Sequence, residues 1–166
     1  MIAYSLLLVF PAVMIFAALS DLFTLTIPNR LSIILVAVFF PLAFLVGLPL
    51  EAIGMHVLAG FGVLVVGFIL FATGTFGGGD AKLMAAASLW LGIAPLQHFF
   101  IYVALIGGAL AVGILLYRRL PEAAIVGPDW ALRLHEKKTG IPYGIAISGA
   151  ALMSFPTTEL YRLIAG

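Results

Sequence analysis

Six long apolar stretches, at about 2–20, 31–50, 52–72, 82–96, 98–117 and 141–158, follow one another along this chain with scarcely a charge inside them. An α-helix crosses a bilayer with roughly 20 apolar residues, and it can do so because every backbone N–H and C=O finds its partner within the segment. The sequence therefore predicts an all-α, polytopic membrane protein with about six transmembrane helices, forming one integral-membrane domain over residues 1–166. Charged residues make up 9% of the chain, against about 25% in a soluble domain, which leaves too little polar surface for a water-soluble fold. The fourth stretch is short for a span, as suits a helix that borders a cavity. Pro11 and Pro41 fall inside stretches and are expected to bend their helices, whereas Pro95, Pro121, Pro142 and Pro156 stand near boundaries.

Basic residues orient the chain. Arg30, Lys82, Arg118, Arg119, Arg133, Lys137 and Lys138 fall in the first, third and fifth connections, and Arg162 alone falls on the other side. The positive-inside rule then makes those connections cytoplasmic and puts both termini outside. The first stretch has no basic residue before it and no small-x-small cleavage site before Asp21, so it reads as a retained helix rather than a signal peptide. In the long Arg118–Gly140 connection, Trp130, Leu132 and Leu134 fit an interfacial amphipathic helix as well as the segment fits a solvated loop. A net charge of +1 without a basic run argues against a nucleic-acid partner. The lack of cysteine excludes disulfides, thiol catalysis and zinc-thiolate sites.

Of the seven acidic residues, Glu51, Glu122, Asp129, Glu136 and Glu159 lie in connections or near a chain end, where water can hold their charge. Asp21 and Asp80 are different. Asp21 ends the first stretch and Asp80 opens the fourth; the chain goes out and back between them, so both arrive at the same membrane face. Each alone has a structural explanation, Asp80 as a helix cap and Asp21 as an aqueous helix end. Together they suggest a shared-proton site, because unpaired acids at a membrane boundary are costly. In such a dyad an ionised carboxylate takes a proton from water while a neutral one donates to a carbonyl oxygen, which suffices for peptide hydrolysis without a metal. Gly77, Gly78 and Gly79 before Asp80 permit positive φ angles and close approach, or are merely a flexible turn. They are not a phosphate loop, since Asp80 and Ala81 follow where Lys and Ser or Thr would be needed. Lys82 reads as a boundary cation or the partner of a nearby acid. There is no His-Glu-x-x-His and no Gly-x-Ser-x-Gly. His56 and His98 fall toward the opposite face and His135 in the long connection, so no metal and no cofactor are expected. A small transporter or channel subunit also uses paired acids and broken Gly-rich segments, but places them near the membrane midplane.

Asp21 followed by Ile27-Pro28-Asn29, then Gly77-Gly78-Gly79-Asp80-Ala81-Lys82, then Ile141-Pro142-Tyr143-Gly144 resembles the type IV prepilin peptidases, bacterial intramembrane aspartyl proteases of the GxGD type. The resemblance implies that Asp21 and Asp80 are the catalytic pair. It also implies that Pro28, Asn29, Gly77, Gly78, Gly79, Lys82, Pro142, Tyr143 and Gly144 bind substrate or support the site. The implied substrate is a prepilin or pseudopilin precursor, cut at its leader on the cytoplasmic face of the bacterial inner membrane, with the lipid bilayer and the pilus assembly machinery as further partners. Longer members add a cytoplasmic domain with paired Cys-x-x-Cys and methylate the new N-terminus. This chain has no Cys, so it is similar to the short, peptidase-only members that serve Flp-type tight-adherence pili, and methylation would fall to another protein.

Overall fold

A computed structural model describes residues 1–121 and 126–165; Glu122 lies outside them. The described residues are helical with no strands. In chain order the helices are α1 (Ile2–Leu7), α2 (Val9–Thr24), α3 (Asn29–Leu45), α4 (Leu50–Ala72), α5 (Gly78–Leu91), α6 (Leu96–Tyr117), α7 (Asp129–His135), α8 (Tyr143–Ser154) and α9 (Glu159–Ala165), with a 3-10 turn at Phe155–Thr157. Three segments are long and apolar enough to cross a membrane: Ile2–Thr24, Leu50–Ala72 and Leu96–Tyr117, with α3 a shorter apolar helix. Six apolar helical segments are thus present, but α5 and α8 reach only about 21 and 18 Å at 1.5 Å per residue, short of the roughly 30 Å hydrocarbon core.

Proline sets several boundaries. Pro28, Pro49, Pro95, Pro128 and Pro142 are the N-caps of α3, α4, α6, α7 and α8. The residue before a helix contributes no N–H to the ladder, so a proline there loses nothing. The break between α1 and α2 falls at Leu8, beside the Leu7 carbonyl that the Pro11 ring would crowd. Pro41 stays inside α3, which continues to Leu45.

Three predicted boundaries shift. The fourth helix covers Gly78–Leu91 rather than 82–96, because the Gly-Gly-Asp segment is its first turn and Gly92, at φ +73°, ends it. Asp21 lies a turn inside α2, which runs on to Thr24 before Leu25 stops it. The long connection contains the short helix α7. Its Leu134 is buried, Trp130 packs edge-on against Phe23 at 5.9 Å and Leu132 stays exposed, so only part of the expected apolar face is free for lipid.

Helix α5 is the centre of the bundle, with most of its residues from Ala81 onward buried against α4, α3 and α8. Small residues allow this. A Cβ on Gly67 would stand 3.0 Å from Ala81 Cβ, and one on Gly60 would stand 3.0 Å from Leu89 Cβ, so the α4 and α5 backbones approach closely. Towards the C-terminal end of α5, Trp90 anchors an aromatic core with Phe10, Phe39 and Phe155, and its indole N–H donates to the Leu35 carbonyl at 2.9 Å. The outward faces of α4 and α6 carry exposed Phe, Leu, Ile and Val, as lipid-facing surfaces do.

Odd and even connections separate to opposite ends. Lys82 donates to Asn29 Oδ1 at 2.9 Å, and Arg133 donates to the Phe23 carbonyl, so the first, third and fifth connections meet. At the other end Pro49, Glu51, His56, Gly92, Pro95 and Thr157 line a common cleft. His56 is buried there, its Nδ1–H donating to the Leu89 carbonyl at 2.7 Å.

Candidate active site

The residues from Asp21 to Asn29 make a tight reversal. Leu25 adopts a left-handed conformation at φ 53°, ψ 30°, unusual for a residue with a side chain, and its N–H closes α2 on the Asp21 carbonyl at 2.8 Å. Ser20 Oγ donates to the Thr26 carbonyl at 2.9 Å and Thr24 Oγ1 to the Ser20 carbonyl at 2.8 Å, fixing the turn. Ile27 is thereby placed between the starts of two helices. A Cβ on Gly79 would lie 3.2 Å from Ile27 Cβ, and one on Gly144 would lie 2.9 Å from Ile27 Cδ1.

Asp21 is 5% exposed. Its Oδ2 accepts the Gly144 N–H at 2.6 Å, the second residue of α8. That amide is one of the first-turn donors that an α-helix leaves unbonded, and the helix dipole adds to the attraction of a negative charge there. Gly144 allows the approach because any β-carbon would stand 2.8 Å from both Asp21 Cβ and Oδ2.

Asp80 lies in the first turn of α5, ahead of the apolar stretch of that helix. The N-cap is Gly77 and no side chain caps the helix, so the capping reading of Asp80 does not hold. Among the described residues its carboxylate accepts no hydrogen bond, and neither aspartate has a cationic partner. Burial pushes the Asp80 carboxyl up to about 6, and the negative charge of Asp21 adds to the rise. The two acids, far apart in sequence, are therefore close enough to feel each other.

The glycines serve close approach rather than torsion. Gly77 has φ −72° and the positive-φ glycine of this connection is Gly74, so the expectation of a left-handed path at Gly77–Gly79 is corrected. A Cβ on Gly77 would instead lie 2.6 Å from Asp80 Oδ2, and one on Gly78 would lie 3.2 Å from the Phe71 ring. Lys82 bonds Asn29 and not an acid, tying the start of α3 to α5. Pro28 starts α3 and Pro142 starts α8, while Tyr143 packs against Gly107 of α6. Ile27, Leu25, Ser20 and Phe71 were not singled out for these roles. Only the Ile27-Pro28-Asn29 sequence gave a signal for any of them; nothing in the sequence marks a leucine as left-handed.

An apolar helical bundle that brings two carboxylates within electrostatic reach, with no counter-ion among the described residues, one in the first turn of α5 and the other on the first turn of α8, is a membrane protein with an acid pair at one end. Residues 8–112 match the type IV leader peptidase family, and the chain belongs to that family. It is a leader peptidase-like protease, a hydrolase. The match includes Asp21, Pro28, Asn29, Gly77–Gly79, Asp80 and Lys82, and leaves Pro142, Tyr143 and Gly144 outside it. No curated protein and no solved structure matches the chain.

Proposed function

We propose that the protein is an aspartic endopeptidase that removes the leader of Flp-type prepilins at the cytoplasmic face of the bacterial inner membrane, with Asp21 and Asp80 as its catalytic pair. The carrying observation is electrostatic: the buried Asp21 and half-buried Asp80 carboxylates feel each other's charge with no cationic partner among the described residues, and Asp21 is bonded to a helix-start amide. That amide holds the Asp21 carboxylate in place, and in this reading Asp21 is the base that takes a proton from the attacking water. Asp80, whose carboxyl is pushed up, is the acid that donates to the scissile carbonyl oxygen. Asp21 then gives the proton it took from water to the leaving amide nitrogen, the C–N bond breaks, and Asp80 takes its proton back from the hydroxyl on the tetrahedral carbon, which returns the dyad to its starting state with one proton.

In this reading the three long helices, with α3, α5 and α8, form the six apolar segments of one membrane domain. The seven basic residues at the dyad end face the cytoplasm and both termini face outward. Methylation of the product has no candidate residues here. The test is cleavage of a leader-bearing pilin precursor by the protein in lipid vesicles, read as product mass. Asp21→Asn and Asp80→Asn are each expected to cut activity more than a hundredfold while leaving the protein folded and inserted. Near-normal cleavage by either variant would remove that residue from the pair.

A further inference from the structure

A groove of about 660 Å³ runs between α3, α4 and α5. Val36, Ala37, Phe40, Val57, Phe61 and Leu64 give it an apolar length, and Asn29, Ser32 and Lys82 gather at one end. From Asn29 to Phe40 along α3 is about 16 Å at the helical rise. That is about half of the roughly 30 Å hydrocarbon core, the depth of one leaflet and too short for a spanning peptide.

We propose that this groove binds one anionic phospholipid, its acyl chain along α3 and α5 and its phosphate on the Lys82 ammonium. Lys82 is exposed, and its Nζ is engaged with the neutral Asn29 amide rather than an acid among the described residues. A basic pocket between membrane helices at the headgroup level suits an anionic headgroup. Ser32 is the second, independent sign. A helical serine that is shielded from solvent can return its proton to the carbonyl a turn back; the buried Ser32 hydroxyl has no partner among the described residues, and Ser32 lines the same groove. A phosphate or ester oxygen would accept that proton.

The occupant is lipid rather than peptide because of where the groove sits. Lys82 is two residues after Asp80, about 200° around α5. The face that carries Lys82, Ala86 and Leu89 into the groove is thus turned away from the acid. A polypeptide lying there would not present its bond to the carboxylates.

The test titrates purified protein in detergent with phosphatidylglycerol or phosphatidylcholine of identical chains and counts bound lipid by native mass spectrometry. One phosphatidylglycerol should bind at least tenfold more tightly than phosphatidylcholine, and equimolar inorganic phosphate should not displace it. Lys82→Gln should level the two lipids, Ser32→Ala should weaken phosphatidylglycerol about threefold, and Ala37→Trp should weaken both lipids at least tenfold by filling the groove. Val57→Phe blocks the groove from α4 and serves if thermal unfolding shows Ala37→Trp to be misfolded. Equal binding of the two lipids by the wild type overturns the proposal, as does a preference that survives Lys82→Gln. Displacement by inorganic phosphate, or capture of a pilin precursor in place of lipid by a photoreactive residue at position 37, overturns it too.

Discussion

Gly144→Ala tests how the Asp21 carboxylate is held. The added Cβ would stand 2.8 Å from Asp21 Cβ and Oδ2 and 2.9 Å from Ile27 Cδ1, where ordinary carbon contacts are about 3.5–4.0 Å, so something must move by about 0.7 Å. The first turn of α8 has little room to retreat, since Tyr143 already abuts Gly107 and the helix is packed against α2, α5 and α6. Displacement therefore falls on the carboxylate, and the 2.6 Å bond from the Gly144 N–H is stretched or lost. A misplacement of about 1 Å costs on the order of a hundredfold in rate, so a 10- to 100-fold fall in kcat/KM is expected. Local overpacking adds about 1–3 kcal/mol of destabilisation, or a few degrees in Tm. Cleavage of a leader-bearing precursor in vesicles and thermal unfolding on the same sample measure both. Gly149→Ala is the control: it lies on the same helix, where a Cβ meets only Ile106 Cδ1 at 3.5 Å, and it should keep both rate and Tm. Wild-type cleavage by Gly144→Ala would show that Asp21 is not positioned by that amide.

Among the glycines before Asp80, Gly77→Ala should be the most damaging to cleavage, since its Cβ would meet the Asp80 carboxylate at 2.6 Å. Gly78→Ala should be milder because a Phe71 ring can tilt away; the reverse order in the same assay would refute the close-approach reading. A raised acid pKa means that the native state holds its proton more tightly than the unfolded chain, so the penalty for ionising Asp80 is absent below about pH 4 and complete above about 6. Asp80→Asn should accordingly raise Tm at pH 7.5 and leave it unchanged at pH 4, whereas an equal shift at both would separate Asp80 from any such penalty. For orientation, cysteines at Thr75 and Lys138 should react with an impermeant thiol reagent only after permeabilisation and one at Glu51 without it; the reverse pattern would put the acids outside.

Periodicity and charge made the helices legible, because apolar runs and the connections between them follow directly from the bilayer's demand for internally bonded backbone. The ends were less so. The sequence shows Gly77–Gly79 as a turn, since three glycines look like a break, yet Gly78 and Gly79 are helical because Ile27 and Phe71 pack over them. Asp21 and Asp80 could be paired by counting crossings, whereas the Gly144 amide could not be assigned to Asp21, since a bond across 123 residues leaves no local trace. The left-handed Leu25 was equally hidden: its conformation is held by α2 and the Ser20 and Thr24 hydroxyls, not by its own preference.

Depth ties these details together. Ala81 is level with Gly67 and Gly78 with Phe71, and α4 ends at Ala72, so Asp80 lies about one helical turn, roughly 5 Å, inside the end of its longest neighbour. Asp21 likewise lies three residues before the end of α2. Deeper burial would hold both carboxyls neutral and leave no base, while a position at the rim would leave both ionised and hydrated, with no acid. At one turn's depth a first-turn amide can hold one carboxylate, and burial raises its partner's affinity for a proton, as the proposed mechanism requires. The shortness of α5 and α8 goes with this arrangement, since their starts carry Asp80 and the Gly144 amide to the same end of the bundle.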